Sequence, residues 1–153
     1  MKRRIIFRGK SFMFGFWVYG VYMPGVIYNP ETDRYEDAIY GEGLDETKAM
    51  VHVSNESVGM FTNKLDKDGK RIFEGDIIKR KIVNKEYDGY GNIQTGCVFY
   101  DIHCAAFKIA FLDGEGLRTK QEDYFVSHVL IDGKVEQEIW YEYEVIGNIY
   151  DKH

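Results

Sequence analysis

The sequence predicts an all-β chain. Three observations carry that expectation: a high aromatic content, four Asp-Gly pairs along the chain, and a long alternation of apolar and acidic residues near the C-terminus. With 12 Tyr, 10 Phe and 2 Trp, aromatic residues make up 16% of the 153 residues, and such side chains suit a pleated, half-buried surface. Sixteen glycines against two prolines supply turn positions that need positive φ. A chain of this length buries roughly 68–70% of its unfolded surface, enough for one domain or two small subdomains without disulfides or metal.

The chain opens on "MKRRIIFRGKSFMFGFWVYGVYM", which has the basic start and apolar run of a secretory leader. Arg8 and Lys10 interrupt that run, however, and no small-residue cleavage site follows. Ser11 to Met23 is also too short for a membrane span. The expectation is a cytoplasmic protein without membrane contact, with Cys97 and Cys104 reduced. Within this region Phe12, Phe14, Phe16 and Val18 fall on one face of a predicted strand, and Met13, Trp17, Tyr19 and Val21 on the other. Both faces are apolar, so the strand is either covered on both sides or forms a subunit contact.

Helix signals are weak. Asp45–Met50 fits a short turn with Asp45 as N-cap, and Gln121–His128 fits a helical turn or a strand. The polar quartet Ser54–Ser57 marks a soft boundary. The pairs Asp68-Gly69, Asp88-Gly89, Asp113-Gly114 and Asp132-Gly133 predict type I′ hairpin turns in a meander or small barrels. Near the C-terminus Val135, Ile139, Tyr141, Tyr143, Val145 and Ile149 occupy one face of a predicted strand. Lys134, Glu136, Glu138, Glu142, Glu144 and Asn148 occupy the other, and Gly147 is a natural bend or bulge.

The most motif-like passage is "TNKLDKDGKRIFEGDIIKR", Thr62 to Arg80. An EF-hand with Gly69 at its sixth position would put Lys64 first and Gly75 twelfth, so a cation and a missing carboxylate exclude it. The residues instead predict a β-turn at Lys67–Lys70 centred on Asp68-Gly69. A second reversal follows at Glu74-Gly75-Asp76, with Gly75 in a conformation other residues avoid and Asp76 accepting a backbone N–H. An acid–base pair of Glu74 and Asp76 stays open, but needs a pocket or a raised pKa.

Other chemistry has less support. Cys97, His103 and Cys104 on one strand would point to different sides, and no C-x-x-C pair exists, so no metal and no cofactor are expected. His52 and His128 lack ligand spacing. Ser127-His128 are neighbours facing opposite ways, and no nucleophile elbow or phosphate-binding glycine loop occurs. "DGYGN", Asp88–Asn92, reads as a hairpin tip with Tyr87 and Tyr90 as contact residues. The formal charge of −5 counts against gripping phosphates, despite the clusters Arg3, Arg4, Arg8, Lys10 and Lys79, Arg80, Lys81.

Three blocks carry a family likeness: "FRGK" with "GFWVYG" (Phe7–Lys10, Gly15–Gly20), "VSNESVGMFTNKLDKDGKRIFEGDII" (Val53–Ile78) and "YEVIGNIYD" (Tyr143–Asp151). In these the chain resembles the YopX family, small proteins of bacteriophages and prophages that generally carry no assigned activity. Met60 stands where a glutamine is usual and Asn63 where a glycine is usual, and Asn tolerates positive φ better than most residues. The resemblance implies a smaller β-rich subdomain over residues 1–56 and an SH3-like β-barrel over 57–153, with no catalytic residues. The recurrent residues Gly59, Asp66, Gly69, Glu74, Gly75, Asp76, Gly147 and Asn148 are then turn formers and backbone partners, in line with the reading of the central passage.

The expected function is a non-enzymatic phage or prophage accessory protein acting through contacts with a host or phage protein. Homo-oligomerisation stays open, and a nucleic-acid-binding small barrel is the alternative. The candidate contact residues are Phe12, Phe14, Phe16, Trp17, Tyr19, Tyr22, Tyr87 and Tyr90.

Overall fold

Period-two alternation and tight turns build two antiparallel sheets. The computed structural model describes residues 4–42, 47–85, 89–125, 128–131 and 137–151, and the chain divides into two compact units, Met1–Asn63 and Lys64–His153. The strands are β1 (Phe7–Lys10), β2 (Trp17–Asn29), β3 (Arg34–Glu42), β4 (Lys48–His52), β5 (Gly59–Leu65), β6 (Arg71–Phe73), β7 (Asp76–Ile82), β8 (Ile93–Asp101), β9 (Ala106–Leu112), β10 (Arg118–Tyr124), β11 (His128–Ile131) and β12 (Gln137–Asn148). The first sheet has the order β4-β3-β2-β1-β5-β6 and the second β10-β9-β8-β7-β12-β11. No α-helix occurs among the described residues.

In the first unit the pairing register sorts the side chains. Gly9 lies opposite Val18, Tyr22 opposite Ile39, and Ile39 opposite Val51. That face carries the core, in which Val18, Ile39 and Val53 are buried with Phe7, Tyr22, Val51 and Val58 packed around them.

The segment Phe12–Gly15 departs from the expected strand. Ser11 closes a turn there: its carbonyl accepts the Gly15 N–H at 3.0 Å, and its Oγ accepts the Phe14 N–H at 3.2 Å. Gly15 takes φ +74, and the strand begins only at Trp17. A serine hydroxyl bonded to nearby backbone offers the chain an alternative to a ladder, and the alternating aromatics concealed it. Of the two alternatives, coverage on both sides does not hold: Val18 is buried and Phe16 and Trp17 are half-buried, but their neighbours are open. Phe12 is 51% exposed, Met13 and Phe14 are 77% exposed, and Tyr19 and Val21 are exposed as well.

The second unit packs Ile72, Ile78, Val98, Ile109, Phe111, Phe125 and Tyr143 into one core. Its sheet is curled. β10 and β11 lie at opposite ends of the strand order, yet only residues 125–127 join them, a reach of about 14 Å at full extension. Among the described residues the two edge strands are not paired with each other, and neither sheet closes into a barrel. The all-β expectation holds, while the SH3-like barrel expected for 57–153 is not confirmed.

Two Asp-Gly turns differ from expectation in the same way. The Gly69 N–H donates to the Asp66 carbonyl, and the Gly116 N–H to the Asp113 carbonyl, both at 3.0 Å. Only the glycines have positive φ, +79 and +81, whereas a type I′ turn needs it at both central residues. The turn therefore begins at Asp66 and Asp113 and ends in a glycine bulge, one residue earlier than Lys67–Lys70. The pair Asp132-Gly133, residue Asp88 and the proposed cap Asp45 lie outside the described residues. Residues 48–50 and 121–124 are strand, not helical turn. Asn63, standing where a glycine is usual, takes φ +64, as its tolerance for that region allows.

β12 follows the predicted alternation only as far as Val145. Val145 pairs with Ile78 and Gly147 with Ile77, so Ile146 is an extra residue. A one-residue slip exchanges the two faces. Asn148 is accordingly buried and Ile149 is 53% exposed, the reverse of the expectation for both. Val135, Lys134 and Glu136 lie outside the described residues.

Candidate interaction surface

The central acidic residues hold backbone. Asp66 Oδ1 accepts the N–H groups of Asp68 and Lys70, each at 2.9 Å, and Oδ2 accepts that of Val145 at 3.0 Å. Burial pushes its carboxyl pKa up, but these three donors outweigh it and leave the value lowered. Asp76 is 1% exposed and accepts the Phe73 N–H at 2.7 Å. Gly75, at φ +91, bonds to Val98 and Ile149 through its N–H and carbonyl. A Cβ there would meet the Tyr150 ring at 2.7 Å. Asn148 Oδ1 accepts the Tyr150 and Asp151 N–H groups at 2.9 and 2.8 Å. Asp68, Gly69, Glu74 and Gly147 sit in or beside these bends.

Cys97, His103 and Cys104 do not share a strand. β8 ends at Asp101, and His103 and Cys104 lie in the following turn. There Asp101 Oδ1 accepts the His103 N–H at 2.9 Å, and Oδ2 pairs with Lys108 at 3.0 Å. The Lys108 ammonium holds the Asp101 carboxyl down at about 2. Among the described residues no group of three His, Cys, Asp or Glu side chains could hold a metal ion.

The basic clusters are dispersed. Arg80 is 5% exposed and turns inward. Its Nη1 donates to Asp123 at 2.8 Å, its Nη2 to Gln94 at 2.6 Å, and its Cζ lies 4.1 Å from the Tyr141 ring centroid. Lys79 and Lys81 face outward, but each is paired across the ladder with an acid, Glu144 and Glu142. Arg8 is 6% exposed beneath the Trp17 ring. Arg3 lies outside the described residues.

The first unit carries a contiguous exposed apolar row. Opposite its core face, Val21, Tyr40 and Met50 stand in register across β2, β3 and β4 and are 61%, 47% and 51% exposed. One pair of residues along, Ala38 faces His52, and Phe12 stacks on the His52 ring at 4.6 Å. The Phe12–Phe14 turn thus adjoins the row. Beside it lies an open groove of about 380 Å³ with Phe12, Met13, Ile27, Tyr28, Pro30, Glu31 and His52 among its lining residues.

Of the residues expected to make contacts, Phe12, Phe14 and Tyr19 are on this exposed surface. Phe16 and Trp17 are half-buried. Tyr22 belongs to the core side, its ring 5.3 Å from Phe7 and its hydroxyl donating to Asp37 at 2.5 Å. Tyr90 is exposed in the second unit, and Tyr87 lies outside the described residues. The sequence reading overlooked Tyr40 and Met50, whose place depends on the β3–β4 register.

No helix among the described residues is long and apolar enough to cross a membrane. A family model described as "YopX protein" matches residues 21–152. No curated protein and no solved structure matches the chain.

Proposed function

The chain belongs to the YopX family, and from that premise we propose that it is a non-enzymatic accessory protein of a phage or prophage that binds a protein partner in the cytoplasm. The observation that carries this reading is the in-register row Val21–Tyr40–Met50 with the adjoining Phe12–Phe14 turn. Scattered exposed apolar residues need no explanation, but contiguous ones mark interaction sites, and Tyr and Met are favoured in interfaces. We read the curled sheet of the second unit as the counterpart of the family's SH3-type barrel, serving as scaffold.

The buried, backbone-bonded Asp76 supports a structural role over an acid–base one. The nucleic-acid alternative is weakened because Arg80 turns inward and Lys79 and Lys81 face Glu144 and Glu142. The test is affinity capture from host cells with protein and nucleic acid both analysed. A specific protein should be enriched, and Tyr40→Ala with Met50→Ala should reduce its retention about tenfold or more. Enrichment of nucleic acid alone, lost at moderate salt, would replace this reading with the alternative.

A further inference from the structure

We propose that a second copy of this chain docks on the first unit, each copy inserting its Phe12–Phe14 turn into the groove beside the same turn on the other. This rests on the reading that the aromatic surface binds protein, and it names the partner.

The turn is built to leave water. Three consecutive large apolar side chains project from it, each more than half exposed. Four of its backbone donors are already engaged: Ser11 N–H on Phe16, Phe12 N–H on His52, Phe14 N–H on the Ser11 hydroxyl and Gly15 N–H on Ser11. Inserting it therefore desolvates side chains without stranding these N–H groups. The Phe12–His52 stack at 4.6 Å and the Ser11 bonds hold its shape in advance, which lowers the ordering cost of docking.

Knob and hole lie side by side. Phe12 and Met13 line the groove on one flank, and Ile27, Tyr28 and Pro30 also line it. A two-fold contact must use one patch on both copies, with each residue of the pair serving both sides, and a projection next to a recess meets that requirement. Charge agrees. Lys10 precedes the turn by two residues, and Glu31 lines the groove, so an inserted turn brings a cation towards the partner copy's carboxylate.

The test is sedimentation equilibrium of the full chain from about 1 μM to about 1 mM, with circular dichroism confirming that each variant folds. A monomer–dimer equilibrium is expected, weakened about tenfold or more by Met13→Glu and by Phe14→Glu. Lys10→Glu and Glu31→Lys should each weaken it, and the two together should restore most of the loss. A chain that stays monomeric throughout, or a dimer indifferent to all four changes, overturns the proposal. So does a monomer whose turn binds phosphatidylglycerol vesicles. A monomer that captures another protein, and releases it on Met13→Glu, overturns the second-copy assignment while the protein-binding reading stands.

Discussion

The Asp66 carboxylate accepts the Val145 backbone N–H at 3.0 Å across a sequence separation of 79 residues. The same side chain organises its own turn through Asp68 and Lys70. Asp66→Ala should therefore cost about 1–3 kcal/mol of stability, because three backbone donors lose their acceptor. The folded carboxyl is held below its ordinary value, so its contribution is present above the unfolded pKa near 3.9 and fades as pH falls through the folded value. Urea midpoints of wild type and Asp66→Asn should converge in that acid range.

Gly75 and Asp76 make a second, separate prediction. Gly75→Ala combines a left-handed φ with the Tyr150 ring and should cost about 1–3 kcal/mol. Asp76→Asn should chiefly lower the melting temperature, since the buried Phe73 N–H would face a weaker acceptor. An Asp76→Asn variant with unchanged thermal stability would argue against the structural role.

Arg80 is a case where charge alone is not enough. Its planar fork reaches Gln94 and Asp123 at once while lying near the Phe111 and Tyr141 rings. Arg80→Lys keeps the charge but loses that geometry and should cost about 1–3 kcal/mol. Asp123 has a side chain 36% exposed, so Asp123→Asn should cost less than about 1 kcal/mol. Chemical denaturation of the two variants side by side checks the ranking.

Alkaline sensitivity follows from two phenols. Burial pushes Tyr143 up to about 12, against an opposing influence from Arg80. Burial and the bond to Asp37 push Tyr22 up to about 12. Both folded values exceed the unfolded pKa near 10. Their stabilisation is thus complete below pH 10 and is lost as pH rises from there through about 12. Melting temperature measured across that window should fall less steeply in Tyr143→Phe than in wild type, provided the variant folds.

Strand content and the turn-forming role of the central passage were legible because both depend on local chemistry. Gly75 and Asp76 behave as the sequence suggests: one supplies a conformation, the other an acceptor. The failures occur where a single hydrogen bond or an inserted residue decides the outcome. Ser11 converts an alternating aromatic run into a turn, and Ile146 reverses the faces of Asn148 and Ile149. In the hairpins the pattern Asp-x-x-Gly at 66–69 and 113–116 was the informative one, and the adjacent Asp-Gly pairs drew attention from it. The exposed row of the first unit was hidden for another reason, since Val21, Tyr40 and Met50 become neighbours only through the register of three strands.

The ladder between β7 and β12 has a consequence for synthesis. β7 meets β8 through a short excursion, with Ile77 opposite Cys97, but its other side waits for Asn148 to reach Asp76. During synthesis β7 must therefore carry an unsatisfied edge until β12 has emerged, and such edges recruit stray strands. Completing the second unit's sheet therefore waits for β12, and truncating the chain before Tyr141 should yield aggregates and not a shorter folded protein.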